Sequence, residues 1–302
     1  MSMDHVFEHS LAIASQMRTA GHILLLSDYD GTLTPIVERP ELAVMPARNR
    51  SLLQCLARLP GVTVGIISGR ALNDLIERVG IDGLIYAGNH GLEIRGPGLR
   101  FVNPVADELR PILNVLHHAL SSALGTLKGV FVEHKGLGLS VHYRLAEVPR
   151  ELIEEAVRRV VGSMPAGAQT LTTDGKKVIE IRPAAGWDKG RAVKLLMKRY
   201  GKGGRRSGLL PIYLGDDRTD EDAFKVIAAY GPGISIRVGE PDALSSARYF
   251  VTSVEEVSVF LESLLGIAGP AASDSESGRS LADRRLRQDR CADRLGDVPM
   301  AG

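Results

Sequence analysis

Asp28-Tyr29-Asp30-Gly31-Thr32-Leu33 places two carboxylates two residues apart, directly behind the apolar run 23–26. Such a pair can divide covalent catalysis between them. Asp28 can attack phosphorus while Asp30 protonates the leaving oxygen and later activates water. Breaking the strand after Asp28 would let the two act together, and Gly31 permits that turn. A carboxylate repels a phosphate dianion, so the chemistry requires a cation and positive donors at hand. Gly215-Asp216-Asp217, followed by Arg218-Thr219-Asp220-Glu221-Asp222, supplies the hard oxygen ligands that Mg²⁺ takes. Read alone, residues 220–222 would equally favour a helix N-terminus. Ser68-Gly69-Arg70 offers a hydroxyl and backbone N–H groups to phosphate oxygens, and read alone its serine is also an ordinary helix cap. Lys189, in Gly186-Trp187-Asp188-Lys189-Gly190, begins a helical stretch and can neutralise nucleophile and phosphate together.

These residues depend on the elements that carry them. ILLLSD (23–28), VTVGIIS (62–68), LIYAGN (84–89) and PIYLGD (211–216) are short apolar runs of the kind found in strands buried on both faces. Helical patterns at 48–59, 71–79 and 188–200 alternate with them. Alternation of this kind implies a parallel sheet, whose chemistry gathers at the carboxyl ends of the strands, where Asp28, Ser68 and Asp216 stand. The pattern changes after Gly96-Pro97-Gly98. A long helix is expected over 105–124, with Pro111 in its first turn or kinking it. FVEHKG and LSVHYR then alternate like paired strands, a helix spans 151–161, and QTLTTD and KKVIEIRP form a second pair with a hairpin signal at Asp174-Gly175. The expectation is an α/β chain: a core in two parts, 1–103 and 186–267, interrupted by an α+β insertion at 104–185, with a disordered tail at 268–302.

With 37 basic and 36 acidic residues the chain has a formal charge of +1, too little field to draw in a polyanion, so no nucleic-acid partner is expected. No apolar stretch approaches the roughly 20 residues of a membrane span, and the first residues lack the pattern of a secretory signal. No membrane partner and a cytoplasmic location are expected. The oligomeric state is not set by the sequence.

The ordered set DYDGT, SGR, DKG and GDD resembles the haloacid dehalogenase superfamily of phosphotransferases, whose four motifs sit at the strand ends of a Rossmann-like core. The likeness covers about residues 23–265. DYDGTLTPI, GNHG (88–91), FVEHKG with HYR, EIRP (180–183), GWDKG and GDDRTDEDAF are together similar to its trehalose-6-phosphate phosphatase family. That resemblance implies a Rossmann-like parallel-sheet core with an inserted α+β cap domain. It also implies Mg²⁺-dependent hydrolysis of trehalose 6-phosphate, a small-molecule sugar phosphate, through an aspartyl-phosphate intermediate. Position by position, Asp28 would be nucleophile and metal ligand, Asp30 acid/base and metal ligand through its carbonyl, and Asp216 the remaining protein ligand. Asp217 and Asp220 would support them, and Ser68 and Lys189 would bind phosphate. Glu133, Lys135 and Glu180 would hydrogen-bond the sugar, with His142 and Arg144 as further candidates. Carboxylates and an ammonium suit sugar hydroxyls, which both donate and accept. For Glu133 and Lys135, a solvated cross-strand charge face is the competing reading.

Other activities fit parts of this pattern. A phosphatase for another sugar phosphate, such as sucrose phosphate or mannosylphosphoglycerate, would differ in the insertion residues. A non-catalytic sugar-phosphate sensor would be expected to lose Asp28 or Asp30, and both are present. A phosphomutase would return phosphate to a second hydroxyl.

Overall fold

The computed structural model describes residues 3–37, 40–164, 170–175, 177–201 and 208–269. The chain runs through β1 (Asp4–His5), α1 (Ser10–Thr19), β2 (His22–Ser27), α2 (Ala47–Ala57), β3 (Val62–Ile67), α3 (Leu72–Val79) and β4 (Ile85–Gly88). β5 (Glu93–Gly96), β6 (Leu99–Val102), α4 (Pro104–Glu108), α5 (Arg110–Leu124), β7 (Phe131–His134), β8 (Leu139–His142), α6 (Arg150–Gly162), β9 (Thr170–Gly175) and β10 (Val178–Pro183) follow. α7 (Lys189–Tyr200), β11 (Leu209–Gly215), α8 (Glu221–Tyr230), β12 (Ile234–Val238), β13 (Tyr249–Val251) and α9 (Val254–Ala268) complete it. Two compact units result. The first holds Met1–Ile67, Ile76–Ile85 and Lys189–Gly302; the second holds Ser68–Leu75 and Tyr86–Asp188.

In the first unit a parallel sheet runs β1-β13-β12-β11-β2-β3. Every residue of β2 and β11 is buried, which explains why both read as unbroken apolar runs. Pro211 lies within β11 yet precedes its first β12 partner, the pair Ile212↔Ile234. A proline is tolerated there because the ladder on that side has not begun. Leu24, Leu26, Leu53, Leu56 and Ile66 are completely buried.

In the second unit an antiparallel sheet runs β7-β8-β10-β9. Leu139 and Val141 of β8 and Ile179 and Ile181 of β10 form one core with Leu113, Leu116, Leu120 and Leu124 of α5 and Ile153 and Val157 of α6. The spacing on α5 follows the helical repeat, and the strand residues follow the two-residue repeat. Glu133, Ser140 and Glu180 stand directly opposite one another across β7, β8 and β10, so they share the other face. β4, β5 and β6 form an antiparallel meander.

The fold is the expected α/β class, with two local differences. The helix expected over 105–124 is two, α4 and α5, separated at Leu109; Pro111 sits in the first turn of α5, where its missing N–H costs nothing. Gly175 of the expected Asp174-Gly175 turn still pairs, with Val178, and Lys177 takes a φ of 67°. The tail expected from 268 lies outside the described residues, apart from Ala268 at the end of α9 and Gly269 capping it.

Candidate active site

In the first unit the Asp28 N–H donates to the Leu214 carbonyl (2.8 Å), which carries the β2–β11 pairing one residue past the strand. The chain then turns tightly. Gly31 takes a φ of 84°, its N–H donates to the Thr34 carbonyl, and the Leu33 and Thr34 N–H groups both donate to the Tyr29 carbonyl. Tyr29 is completely buried, and a Cβ at Gly31 would stand 2.2 Å from Oδ2 of Asp216. Glycine is thus required twice at position 31, for its dihedral and for the close approach of a carboxylate from the end of β11.

Lys189, the first residue of α7, is 2% exposed and donates to Oδ1 of Asp28 (2.7 Å) and Oδ1 of Asp220 (2.8 Å). Its Nζ is 4.0 Å from Oδ1 of Asp217. Tyr213 Oη also donates to Oδ1 of Asp220 (2.6 Å), and the Asp216 and Asp217 N–H groups donate to its Oδ2 (3.1 Å each). Asp217 in turn accepts from the Thr219 and Asp220 N–H groups and caps the turn into α8. Asp220 therefore has both oxygens filled by protein donors, and it locks Lys189, Tyr213 and the Asp216–Asp217 backbone into one arrangement.

Burial pushes the Asp28 carboxyl well above its ordinary range, with Lys189 opposing the shift only in part. Burial likewise raises Asp220 to about 7 against the pull of Lys189. Burial works against the Lys189 charge too, but Asp220 and Asp28 outweigh it and hold the ammonium well above its usual value. One ammonium shared by two buried carboxylates keeps its own proton firmly without neutralising both partners. Tyr213 is raised well above the usual phenol range by burial and by Asp220, so it is a neutral donor.

Asp28, Asp216 and Asp220 bring carboxylate oxygens within 4.8 Å of one another, a spacing that could hold a metal ion. The donor set is all hard oxygen and the buried site carries more negative than positive charge, both of which fit Mg²⁺. Since Asp220 is saturated by donors, Asp28 and Asp216 are the carboxylates with chemistry to offer. Asp30 lies in the same turn, half-buried, in an isolated bridge with Thr34.

In the second unit, Ser68 is buried and its Oγ accepts the Arg70 N–H (3.1 Å), so it closes a loop ahead of α3. Lys135 Nζ lies 3.3 Å from Oε1 of Glu180, and His142 Nε2 lies 2.8 Å from Oε2 of Glu133 while its ring stacks on Phe131 at 4.4 Å. Glu133, Lys135, Glu180 and His142 are thus linked in contacting pairs along one sheet face; Arg144 is exposed in the turn after β8. Burial works against the Glu180 charge, yet His90 and Lys135 outweigh it and hold this carboxyl well below the usual range. Glu133 is lowered against burial by the His142 hydrogen bond and by Lys135.

Two participants were not expected from sequence. Tyr213 lies inside an apolar run and carries no local mark of its bond to Asp220. His90, whose Nε2 is 3.1 Å from Oε2 of Glu180, belongs to the GNHG segment, but no role followed from that segment alone.

The trehalose-phosphatase family model matches residues 26–255. A trehalose 6-phosphate phosphatase of Zea mays is 38% identical over 277 residues, 87% of this chain and 74% of that one. A trehalose-phosphate phosphatase of Mycobacterium tuberculosis is 38% identical over 240 residues, 78% of this chain and 60% of that one. The solved C-terminal domain of C. albicans trehalose-6-phosphate phosphatase aligns with a TM-score of 0.72 at 24% identity, covering 90% of this chain and 99% of that one, a likeness of fold. Aspergillus fumigatus trehalose-6-phosphate phosphatase aligns at 0.60 with 27% identity, covering 85% and 97%. With the family model spanning most of its length and relatives well above 30% identity, the chain belongs to the trehalose-phosphatase family of phosphoric monoester hydrolases.

Proposed function

We propose that the chain hydrolyses trehalose 6-phosphate to trehalose and phosphate in trehalose biosynthesis. The observation that carries this reading is the buried Asp28–Lys189–Asp220 arrangement, with bonds of 2.7 and 2.8 Å, at the end of a parallel strand. An Asp28 oxygen attacks phosphorus, the bond from phosphorus to the sugar O6 breaks, and Asp30 gives its proton to that oxygen. Asp30 then takes a proton from water, whose oxygen attacks the aspartyl phosphate, releasing phosphate and restoring Asp28. Lys189 and Ser68 hold phosphate oxygens, while Asp217 and Asp220 keep Lys189 and the Asp216 backbone in place. Mg²⁺, held by Asp28, Asp216 and the Asp30 carbonyl, would screen the repulsion between carboxylate and phosphate.

Glu133, Lys135 and Glu180 take the sugar hydroxyls. The ionised state of both glutamates supports this, because such carboxylates accept hydrogen bonds strongly. Residues 104–185 then act as the cap and 1–103 with 186–267 as the core. Among the described residues no helix is long and apolar enough to cross a membrane. A charged sugar phosphate does not cross a bilayer unaided, which favours a cytoplasmic site of action.

Phosphate release measured across trehalose 6-phosphate, sucrose phosphate and mannosylphosphoglycerate, with and without Mg²⁺, tests the reading. Turnover confined to the first substrate and abolished by chelation is expected. Indifference to trehalose 6-phosphate, or full activity in chelator, overturns it.

A further inference from the structure

Asn89 and His90, consecutive residues, take φ values of 51° and 57°. This left-handed region is unfavourable for side chains with a Cβ, and a pair of such residues persists only where the surroundings hold it. Two sets of bonds do so. Along the backbone, the Asn89 N–H donates to the Arg70 carbonyl (2.8 Å), the His90 N–H to the Ser68 carbonyl (2.9 Å), and the Ser68 N–H to the Ala87 carbonyl (2.9 Å). The dipeptide is thereby fastened to the Ser68–Arg70 loop.

The side chains reach the other way. Asn89 Nδ2 donates to the Lys135 carbonyl (2.9 Å), and His90 Nε2 meets Oε2 of Glu180 while Lys135 Nζ meets Oε1. An ionised carboxylate only accepts, so Nε2 of His90 carries the proton. The imidazole lies against Gly69, where a Cβ would come within 2.8 Å of Cε1 and 2.9 Å of Nε2. The glycine of Ser68-Gly69-Arg70 therefore leaves room for the ring edge whose Nε2 meets Glu180.

We propose that Asn89-His90 is a positioning element that ties the Ser68–Arg70 loop to Lys135 and Glu180, fixing the spacing between phosphate recognition and sugar recognition. The inference rests on the assignment of Ser68 to phosphate and of Lys135 and Glu180 to sugar. Its consequence is selectivity: a phosphorylated sugar that spans both groups gains from the fixed spacing, and a phosphomonoester without the sugar does not.

The test compares kcat/KM for trehalose 6-phosphate with that for p-nitrophenyl phosphate, using the full chain with Mg²⁺. His90→Asn keeps a residue that tolerates positive φ but is too short to reach Glu180, and His90→Gln places an amide donor near the original Nε2. His90→Asn is expected to lower the ratio of the two constants about tenfold, chiefly through KM for the sugar phosphate, as for loss of a hydrogen bond to a charged group. His90→Gln is expected to recover most of it. In a Glu180→Gln background, His90→Asn is expected to change the ratio less than about twofold, since coupled residues do not add. Equal losses on both substrates, or full additivity with Glu180→Gln, overturn the proposal. If Glu180→Gln lowers the ratio and His90→Asn does not, the positioning role alone fails. If Glu180→Gln leaves the ratio unchanged, the sugar-recognition assignment fails and takes this one with it.

Discussion

Carboxylates of the two units answer burial in opposite directions. In the first unit Asp28 and Asp220 share one ammonium, with Asp216 close by, and burial prevails, so Asp28 and Asp220 are pushed upward. In the second, His90 and Lys135, the latter also lowering Glu133, hold Glu180 down and outweigh burial. The difference lies in the imidazoles, because each unit sets one lysine against two carboxylates and only in the second do His90 and His142 meet Glu180 and Glu133 as well. A site with surplus carboxylate is electrostatically incomplete until a cation joins it, which suits a nucleophile that must be reconciled with phosphate. A site that gives each carboxylate an imidazole beside the lysine holds it ionised at rest, which suits recognition of neutral hydroxyls.

Removing the Asp28 carboxylate tests the first half of the comparison most severely. Asp28→Asn is expected to reduce phosphate release by at least about a thousandfold, as for loss of an attacking group, while thermal unfolding stays cooperative. Residual turnover within tenfold of the parent would assign attack elsewhere. Next in size is Lys189→Met, which strands Asp28 and Asp220 without their shared counter-ion. Breaking such a buried pair costs about 3–5 kcal/mol, so a large fall in the denaturation midpoint in chelator is expected. A midpoint close to the parent would mean that the carboxylates do not depend on the ammonium.

The smallest effect belongs to the second unit and depends on pH. Because Glu180 titrates below its ordinary value of 4.5 when folded, its ionisation stabilises the protein above that pH, and the contribution is lost as pH falls through the folded value. Glu180→Gln is therefore expected to destabilise by on the order of 1–2 kcal/mol at pH 7, with the difference shrinking below pH 4.5. A difference that grew on acidification would reverse the contrast between the units.

The residues at the strand ends were the easiest to read from sequence. Asp28 and Asp216 each follow a strand buried on both faces, and such strands leave an unbroken apolar run that ends where charge begins. Lys189 was readable from its place at a helix start. Tyr213 was not, because a tyrosine inside an apolar run looks like core until the bond to Asp220 is seen. His90 was hidden for another reason: its function depends on a left-handed backbone and on a partner 90 residues away, and neither leaves a local pattern. The break at Leu109 was half visible, since Pro111 announced a disturbance without fixing where the helix would restart.

Lys189 is the first residue after the chain leaves the second unit, and this has a consequence for synthesis. On the ribosome, residues 28–188 emerge before Lys189, whose ammonium pairs with Asp28. A nascent chain halted at the end of the excursion has made Asp28 but not its counterweight, and β11, which Asp216 directly follows, is still to come. Synthesis therefore delivers every residue of the second unit before Lys189, Asp216 and Asp220, and the arrangement around Asp28 can close only after that.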